Sequence, residues 1–185
     1  MKIGPGKQNG LQAVCDSRGV IAAAAMDQRG SLKSAIAKDK GVDKSAITPP
    51  MLEEFKAAVV RVLTPYASAV LLDPEYGLPA AKTRAKGAGL LLAYENSGYD
   101  NTRPGRLPDL LDVWSVRRLV AAGADCIKIL LYYAPFDPPH INDIKHAWVE
   151  RIGAECAAAD VEGALACAPV RQEDVYMIPI GFEVP

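Results

Sequence analysis

The stretch that decides the fold is Ile127-Lys128-Ile129-Leu130-Leu131-Tyr132-Tyr133. Its continuous apolar character is typical of a strand that is buried on both faces of a parallel sheet. In a regular strand, Lys128 shares one face with Leu130 and Tyr132. An ammonium at such a position is costly unless a carboxylate, a phosphate or a carbonyl substrate interacts with it. We therefore interpret Lys128 as functional, although a lysine at a strand edge can also reach water.

Three more apolar runs predict strands, and helical patterns separate them. The strands are expected at 20–26, 69–72, 90–94 and 127–133, and the helices at 51–66, 79–86, 112–122 and 142–159. The apolar spacing predicts buried faces, with Met51, Phe55, Val59, Val62 and Tyr66 on the first long helix and Ile144, Trp148, Ile152 and Cys156 on the last. This order predicts an α/β fold, either an open doubly wound sheet or part of a (β/α)8 barrel.

Composition argues against several classes of protein. The formal net charge of -1 gives no support for binding to nucleic acid or to an anionic membrane surface. No apolar stretch is long enough to span a membrane. Four cysteines without CxxC spacing, and a start that lacks the apolar segment of a signal peptide, predict a cytoplasmic protein. The two histidines fit no zinc motif, and no P-loop or GxGxxG follows a strand, so we expect neither a metal nor a cofactor.

Polar side chains follow three of the predicted strands, namely Asp27, Gln28 and Arg29, then Asp73 and Glu75, then Glu95. The carboxyl ends of the strands carry the functional residues in both candidate architectures. We expect Lys128 to lie near Asp27, where it could hold a phosphate or a sugar oxygen, or act as a Schiff-base nucleophile. A role in a turn or as a helix cap explains Asp27 equally well. For Glu75, a ligand contact and a structural role both stay possible.

Six segments carry a family resemblance, and they follow one another in the family's order. They are AMDQRGSLK at 25–33, LLDPEYGLPA at 71–80, GLLLAYE at 89–95, GRLPD at 105–109, KILLYY at 128–133 and ERIGAEC at 150–156. Together they resemble the bacterial tagatose 1,6-bisphosphate aldolases of the Schiff-base type, class I. The resemblance implies a (β/α)8 barrel without a metal ion. It also implies reversible cleavage of a ketohexose bisphosphate into dihydroxyacetone phosphate and glyceraldehyde 3-phosphate.

The resemblance implies roles for individual residues. Asp27 and Lys128 match the family's supporting charged residues on the first and fourth strands, and we predict both as catalytic. Gln28 and Arg29 match its substrate-proximal loop, and we add Glu75 as a predicted substrate contact. A related group that cleaves a sulfonated fructose phosphate shares much of the pattern, so the reaction type is better specified than the sugar.

The chain departs from the family pattern after residue 160. The resemblance implies a glutamate on the fifth strand and an iminium-forming lysine on the sixth, but Glu162 comes early and no lysine follows Lys145. We therefore expect a partial barrel over 1–160, holding about four of eight β/α units, and a divergent tail over 161–185.

These departures predict little or no aldolase activity for the 185 residues. Three alternatives stay open. The chain could bind sugar phosphates without cleaving them, it could self-associate through an uncovered sheet edge, or Lys128 itself could form the Schiff base.

Overall fold

The computed structural model describes residues 3–96, 98–100, 102–169 and 176–180, of which 165–169 and 176–180 are described by their backbone alone. This part of the chain forms six α-helices and six strands. The helices are α1 (Pro5–Val14), α2 (Gly30–Lys40), α3 (Pro49–Leu63), α4 (Leu78–Ala81), α5 (Val116–Ala121) and α6 (Pro139–Ala158). The strands are β1 (Ala23–Met26), β2 (Ala69–Leu72), β3 (Gly89–Ala93), β4 (Cys126–Tyr133), β5 (Glu162–Pro169) and β6 (Tyr176–Ile180).

The chain divides into two compact units, and the first comprises residues 12–93. Here β2 lies between β1 and β3, and both neighbours run parallel to it. Every residue of β2 and β3 is buried, as continuous apolar strands of a parallel sheet require. By contrast, β1 is only half-buried and is shorter than the predicted strand at 20–26, because β2 offers four residues for pairing.

The second unit comprises residues 1–11 and 94–185. Its strands β4 and β5 run parallel, from the pair Cys126–Glu162 to the pair Tyr133–Pro169. The third strand of this unit, β6, runs antiparallel to β5. Helix α6 follows β4, as predicted, and precedes β5, a strand that the predicted order of four strands did not include.

The predicted buried face of α3 is wrong. Leu52, Lys56 and Val60 are the buried residues of this helix, whereas Phe55 is 40% and Tyr66, just beyond it, 90% exposed. Leu52 packs with Ile47, which precedes the helix, and with Leu32, Ile36 and Ala37 of α2. A lysine can occupy the buried stripe because polar partners at its tip offset the cost of taking an ammonium out of water.

The other helices agree with the sequence in position more than in length. Helix α6 buries Trp148, Ile152 and Cys156 as predicted, but leaves Ile144 exposed. The expected helix at 112–122 shortens to α5, because the Ser115 side chain caps it by accepting a hydrogen bond from the Arg118 amide. Helices α1 and α2 were not predicted, since glycines and a weak apolar periodicity obscure both.

Candidate functional site

Lys128 lies on β4 in the second unit, and its partner is a buried carboxylate. Its Nζ donates to Oε1 of Glu95 at 2.5 Å, and the exposed fractions of the two side chains are 8% and 4%. Glu95 directly follows Tyr94, whose amide donates to the Lys128 carbonyl at 2.9 Å. An amine that is buried and hydrogen-bonded to a carboxylate is placed to interact with charge on a bound ligand, and the nucleophilic role of Lys128 stays a prediction.

Glu155 of α6 supports the backbone that carries Glu95. Its carboxylate accepts a hydrogen bond from the Tyr94 hydroxyl at 3.3 Å and another from the Val116 amide, at the start of α5, at 3.1 Å. Burial, followed by the negative charge of Glu155, raises the pKa of Tyr94 to about 12. The phenol therefore stays a hydrogen-bond donor over the physiological pH range. Its hydrogen bond to Glu155, together with the bond from the Tyr94 amide to the Lys128 carbonyl, holds the segment from Tyr94 to Glu95 in place.

An aromatic cluster surrounds the face of β4 that carries Lys128. The Arg106 guanidinium stacks 3.5 Å from the centre of the Tyr132 ring, and Tyr99 packs edge-on against the same ring at 6.0 Å. The Tyr99 hydroxyl donates to the Leu130 carbonyl at 2.7 Å. These contacts fix the carboxyl end of β4 in place and hold a cationic guanidinium close to it.

The loop after β3 lines an open cavity of about 280 Å³. Its polar lining comes from Asn96, Asp100, Arg103 and Asp109, with Gly98, Tyr99, Leu107 and Pro108 completing the wall. Within it, Arg103 and Asp100 form an ion pair at 3.3 Å. The cavity begins one residue after Glu95 and could take a small polar ligand.

No carboxylate of strand β5 lies directly opposite Lys128. The residue opposite Lys128 in the parallel register is Ala164, while Glu162 pairs with Cys126 at the amino end of the strands. Burial raises the pKa of Glu162, and the positive charge of Lys7 opposes this shift. Glu162 therefore lies at the amino end of β5, two positions before the level of Lys128, in agreement with its early position in the sequence.

In the first unit, the turn after β1 carries three predicted site residues. Asp27 is half-buried, Gln28 is exposed, and Arg29 is buried. Arg29 donates to the Glu75 carboxylate at 3.1 Å, so two predicted substrate contacts from different loops are brought together. Because Asp27 and Lys128 belong to different units, their expected proximity stays a prediction.

Lys56 is a residue of this unit that sequence reasoning missed. It is fully buried, and its ammonium donates to Asp73 and to the carbonyls of Met26, at 2.6 Å, and Gln28, at 2.8 Å. The two carbonyls lie on either side of Asp27 in the chain. A charge in the middle of the spacing Leu52-Lys56-Val60 was the signal that could have revealed it.

Two absences concern the part of the chain that the structure describes. In it, no group of three or more histidine, cysteine or acidic residues is arranged to hold a metal ion. None of the helices in the same residues is long and apolar enough to cross a membrane.

Comparison with known proteins gives a consistent assignment. A family model described as "DeoC/LacD family aldolase" matches residues 21–175. Tagatose 1,6-diphosphate aldolase of Listeria monocytogenes serotype 4a is 52% identical over 161 residues, which are 87% of this chain and 46% of that protein. Tagatose 1,6-diphosphate aldolase 2 of Enterococcus faecalis is 62% identical over 114 residues, 62% of this chain and 34% of that protein.

The fold also has a counterpart among solved structures. A crystal structure of a Corynebacterium glutamicum protein superposes with a TM-score of 0.57 at 15% sequence identity, covering 89% of this chain and 54% of the other. At that identity the likeness concerns the fold alone. The chain spans less than half the length of the curated relatives described above.

Proposed function

We propose that the chain, a member of the DeoC/LacD family of aldolases, is built for the cleavage of tagatose 1,6-bisphosphate to dihydroxyacetone phosphate and glyceraldehyde 3-phosphate through a Schiff base. We expect little or no turnover from these 185 residues, because no lysine follows Lys145 to form the Schiff base. The observation that carries the proposal is the buried pair of Lys128 and Glu95, where β4 bears a charge that a purely structural strand would avoid. The relatives named for this substrate support the choice of sugar.

The proposed chemistry assigns a task to each predicted residue. In the reaction that the resemblance implies, a fifth-strand glutamate takes the proton of the C4 hydroxyl as the C3–C4 bond breaks, and an iminium at C2, formed by a sixth-strand lysine, accepts the electron pair left on C3. The 185 residues offer no clear counterpart of that glutamate or of that lysine, so the tasks assigned here are those of the supporting residues. We assign Asp27 and Lys128 to this centre, with the Lys128 ammonium stabilising charge on a sugar oxygen. Arg29 and Gln28 would contact a phosphate and sugar hydroxyls, and Glu75 would orient Arg29 through their ion pair.

The first test is borohydride trapping with dihydroxyacetone phosphate, read by intact and peptide mass spectrometry. We expect no adduct on Lys128, because its Nζ is buried and donates to the Glu95 carboxylate. In parallel, calorimetric titration should detect binding of dihydroxyacetone phosphate that weakens in Arg29→Met and Lys128→Met but not in Lys145→Met. A folded chain that binds neither this ligand nor tagatose 1,6-bisphosphate would contradict the proposal.

A second candidate is binding of a sugar phosphate without cleavage. It is favoured by the ion pair of Lys128 with Glu95 and by Ala164, the residue of β5 opposite Lys128, which brings no carboxylate there. Retained binding, with no glyceraldehyde 3-phosphate released in a coupled assay, would select this candidate. A competition-binding experiment with tagatose 1,6-bisphosphate and a sulfonated ketose phosphate would test which of the two the chain binds more tightly.

The proposal also covers the cellular location of the protein and its self-association. We infer a cytoplasmic location, since Cys15, Cys126 and Cys156 are free thiols. We also propose self-association through β1, whose half-exposed residues follow the exposed Val20 and Ile21. Light scattering of the purified chain checks the second point, and a monomer at all concentrations would contradict it.

A further inference from the structure

The fully buried Lys56 ammonium joins the loops that follow β1 and β2. Its three protons go to three acceptors, which are the carbonyls of Met26 and Gln28 and the carboxylate of Asp73. With no exposed surface and no proton unused, Lys56 cannot present a free amine to a substrate. The amine is therefore suited to holding backbone in place rather than to reacting.

Asp73 extends the connection to the second loop. Its other carboxylate oxygen accepts a hydrogen bond from the Tyr76 amide at 2.8 Å, and its carbonyl accepts one from the Gly77 amide at 3.0 Å. The 73–77 loop also carries Glu75, which pairs with Arg29 across the gap to the first loop. One buried ion pair thus holds both segments that supply the predicted ligand contacts.

We propose that Lys56 and Asp73 form a positioning clamp that fixes the backbone on both sides of Asp27 and so sets the geometry in which Asp27, Gln28 and Arg29 meet a sugar phosphate. The choice of a sugar phosphate as the ligand rests on the proposed function, whereas the clamp rests on the contacts of Lys56. Lys56 contacts the carbonyl before Asp27 and the carbonyl after it, so the direction of the Asp27 side chain depends on Lys56.

Stability alone gives a poor account of this arrangement. A buried ion pair contributes little to stability compared with well-packed apolar residues of similar volume, because both charges lose their hydration. What an ammonium adds is three directed bonds, and two of them end on the turn that carries the predicted site. Small displacements of such a turn are costly for function, since binding and catalysis depend on sub-ångström placement.

The test uses the full 185-residue chain and a variant that removes the clamp without leaving an unpaired buried charge. Lys56→Met/Asp73→Asn loses both charges, and the asparagine oxygen can still accept from the Tyr76 amide. Lys145→Met is the matched control, because Lys145 is also buried and paired with an aspartate, Asp137, at 3.0 Å, but lies on α6.

The primary readout is amide hydrogen exchange over residues 26–30 in ligand-free protein. We expect exchange there to quicken about tenfold or more in the double variant while the global unfolding midpoint stays near that of the wild type. The control should leave exchange at 26–30 unchanged. The second readout is the Kd for dihydroxyacetone phosphate, expected to rise about tenfold in the double variant.

The two readouts separate the clamp from the proposed function. Unchanged exchange at 26–30 in a folded double variant overturns the clamp, whatever the affinity. Faster exchange in a protein whose wild type binds no sugar phosphate supports the clamp and rejects the proposed ligand. If the double variant does not fold, Lys56→Arg serves instead. Its planar guanidinium cannot keep all three bonds of an ammonium, so wild-type exchange and affinity in that variant overturn the proposal.

Discussion

The ammonium of Lys128 lies 2.5 Å from the carboxylate of Glu95, and both side chains are more than nine-tenths buried. In such a pair the Coulomb attraction offsets two desolvation penalties, so the loss of one partner leaves the other charge uncompensated. The pair is therefore both a candidate for substrate chemistry and a feature on which the fold of the second unit depends.

Glu95→Gln should destabilise the protein by about 3–5 kcal/mol, because it leaves the Lys128 ammonium buried beside a neutral amide. Urea unfolding followed by circular dichroism measures the effect. The double variant Glu95→Gln/Lys128→Met should recover most of the loss, since it removes both charges. A loss below about 1 kcal/mol in the single variant, as is usual for exposed ion pairs, would contradict the burial seen here.

Tyr94 should ionise at a higher pH than an ordinary tyrosine. Its folded pKa of about 12 exceeds the usual value of 10.0, so its contribution to stability is present below pH 10 and is lost as the pH rises toward 12. Absorbance of the phenolate at 295 nm, compared between wild type and Tyr94→Phe, isolates this group. Glu155→Gln should lower the pKa of Tyr94 by removing the adjacent charge, and an unchanged pKa would show that burial alone sets it.

The thiols should differ in their reaction with a disulfide reagent at neutral pH. Burial raises the pKa of Cys126 and raises that of Cys156 to about 12, so neither forms the reactive thiolate in the native protein. Cys15 is half-buried and should be the first of these three to react. The experiment should use a Cys167→Ser background, so that the three thiols described here are the ones that can react. Labelling of Cys126 or Cys156 before denaturation would contradict the prediction.

Gly77→Ala should destabilise the loop after β2 by about 1–3 kcal/mol. A methyl group at this position would lie 2.3 Å from the Asp73 carbonyl oxygen and 2.8 Å from the Leu72 Cβ, and a β-strand end cannot move easily to relieve that contact. Thermal unfolding measures the change. Gly30→Ala is the control, because its added methyl would meet only the tip of Lys44, at 4.0 Å, and should be close to neutral.

Continuous apolar runs located the strands well. The run at 69–72 became β2 without change, and the run at 127–133 became all but the first residue of β4. Such strands are buried on both faces, so their signal does not depend on which side faces a helix. The same sequence gave a wrong buried face for α3, because apolar residues such as Phe55 and Val62 stay exposed while a lysine takes the inner position.

Sequence by itself determined the α/β class, the positions of β2, β3 and β4, and the aldolase family, since each depends on local composition or on short segments in a fixed order. Only the tertiary structure decided which charges meet. Glu95 and Lys128 are 33 residues apart in the chain, and Lys56 reaches a turn 28 residues before it. The free energy of burying a charge is set by the partners that the fold places around it, and no local pattern contains that information.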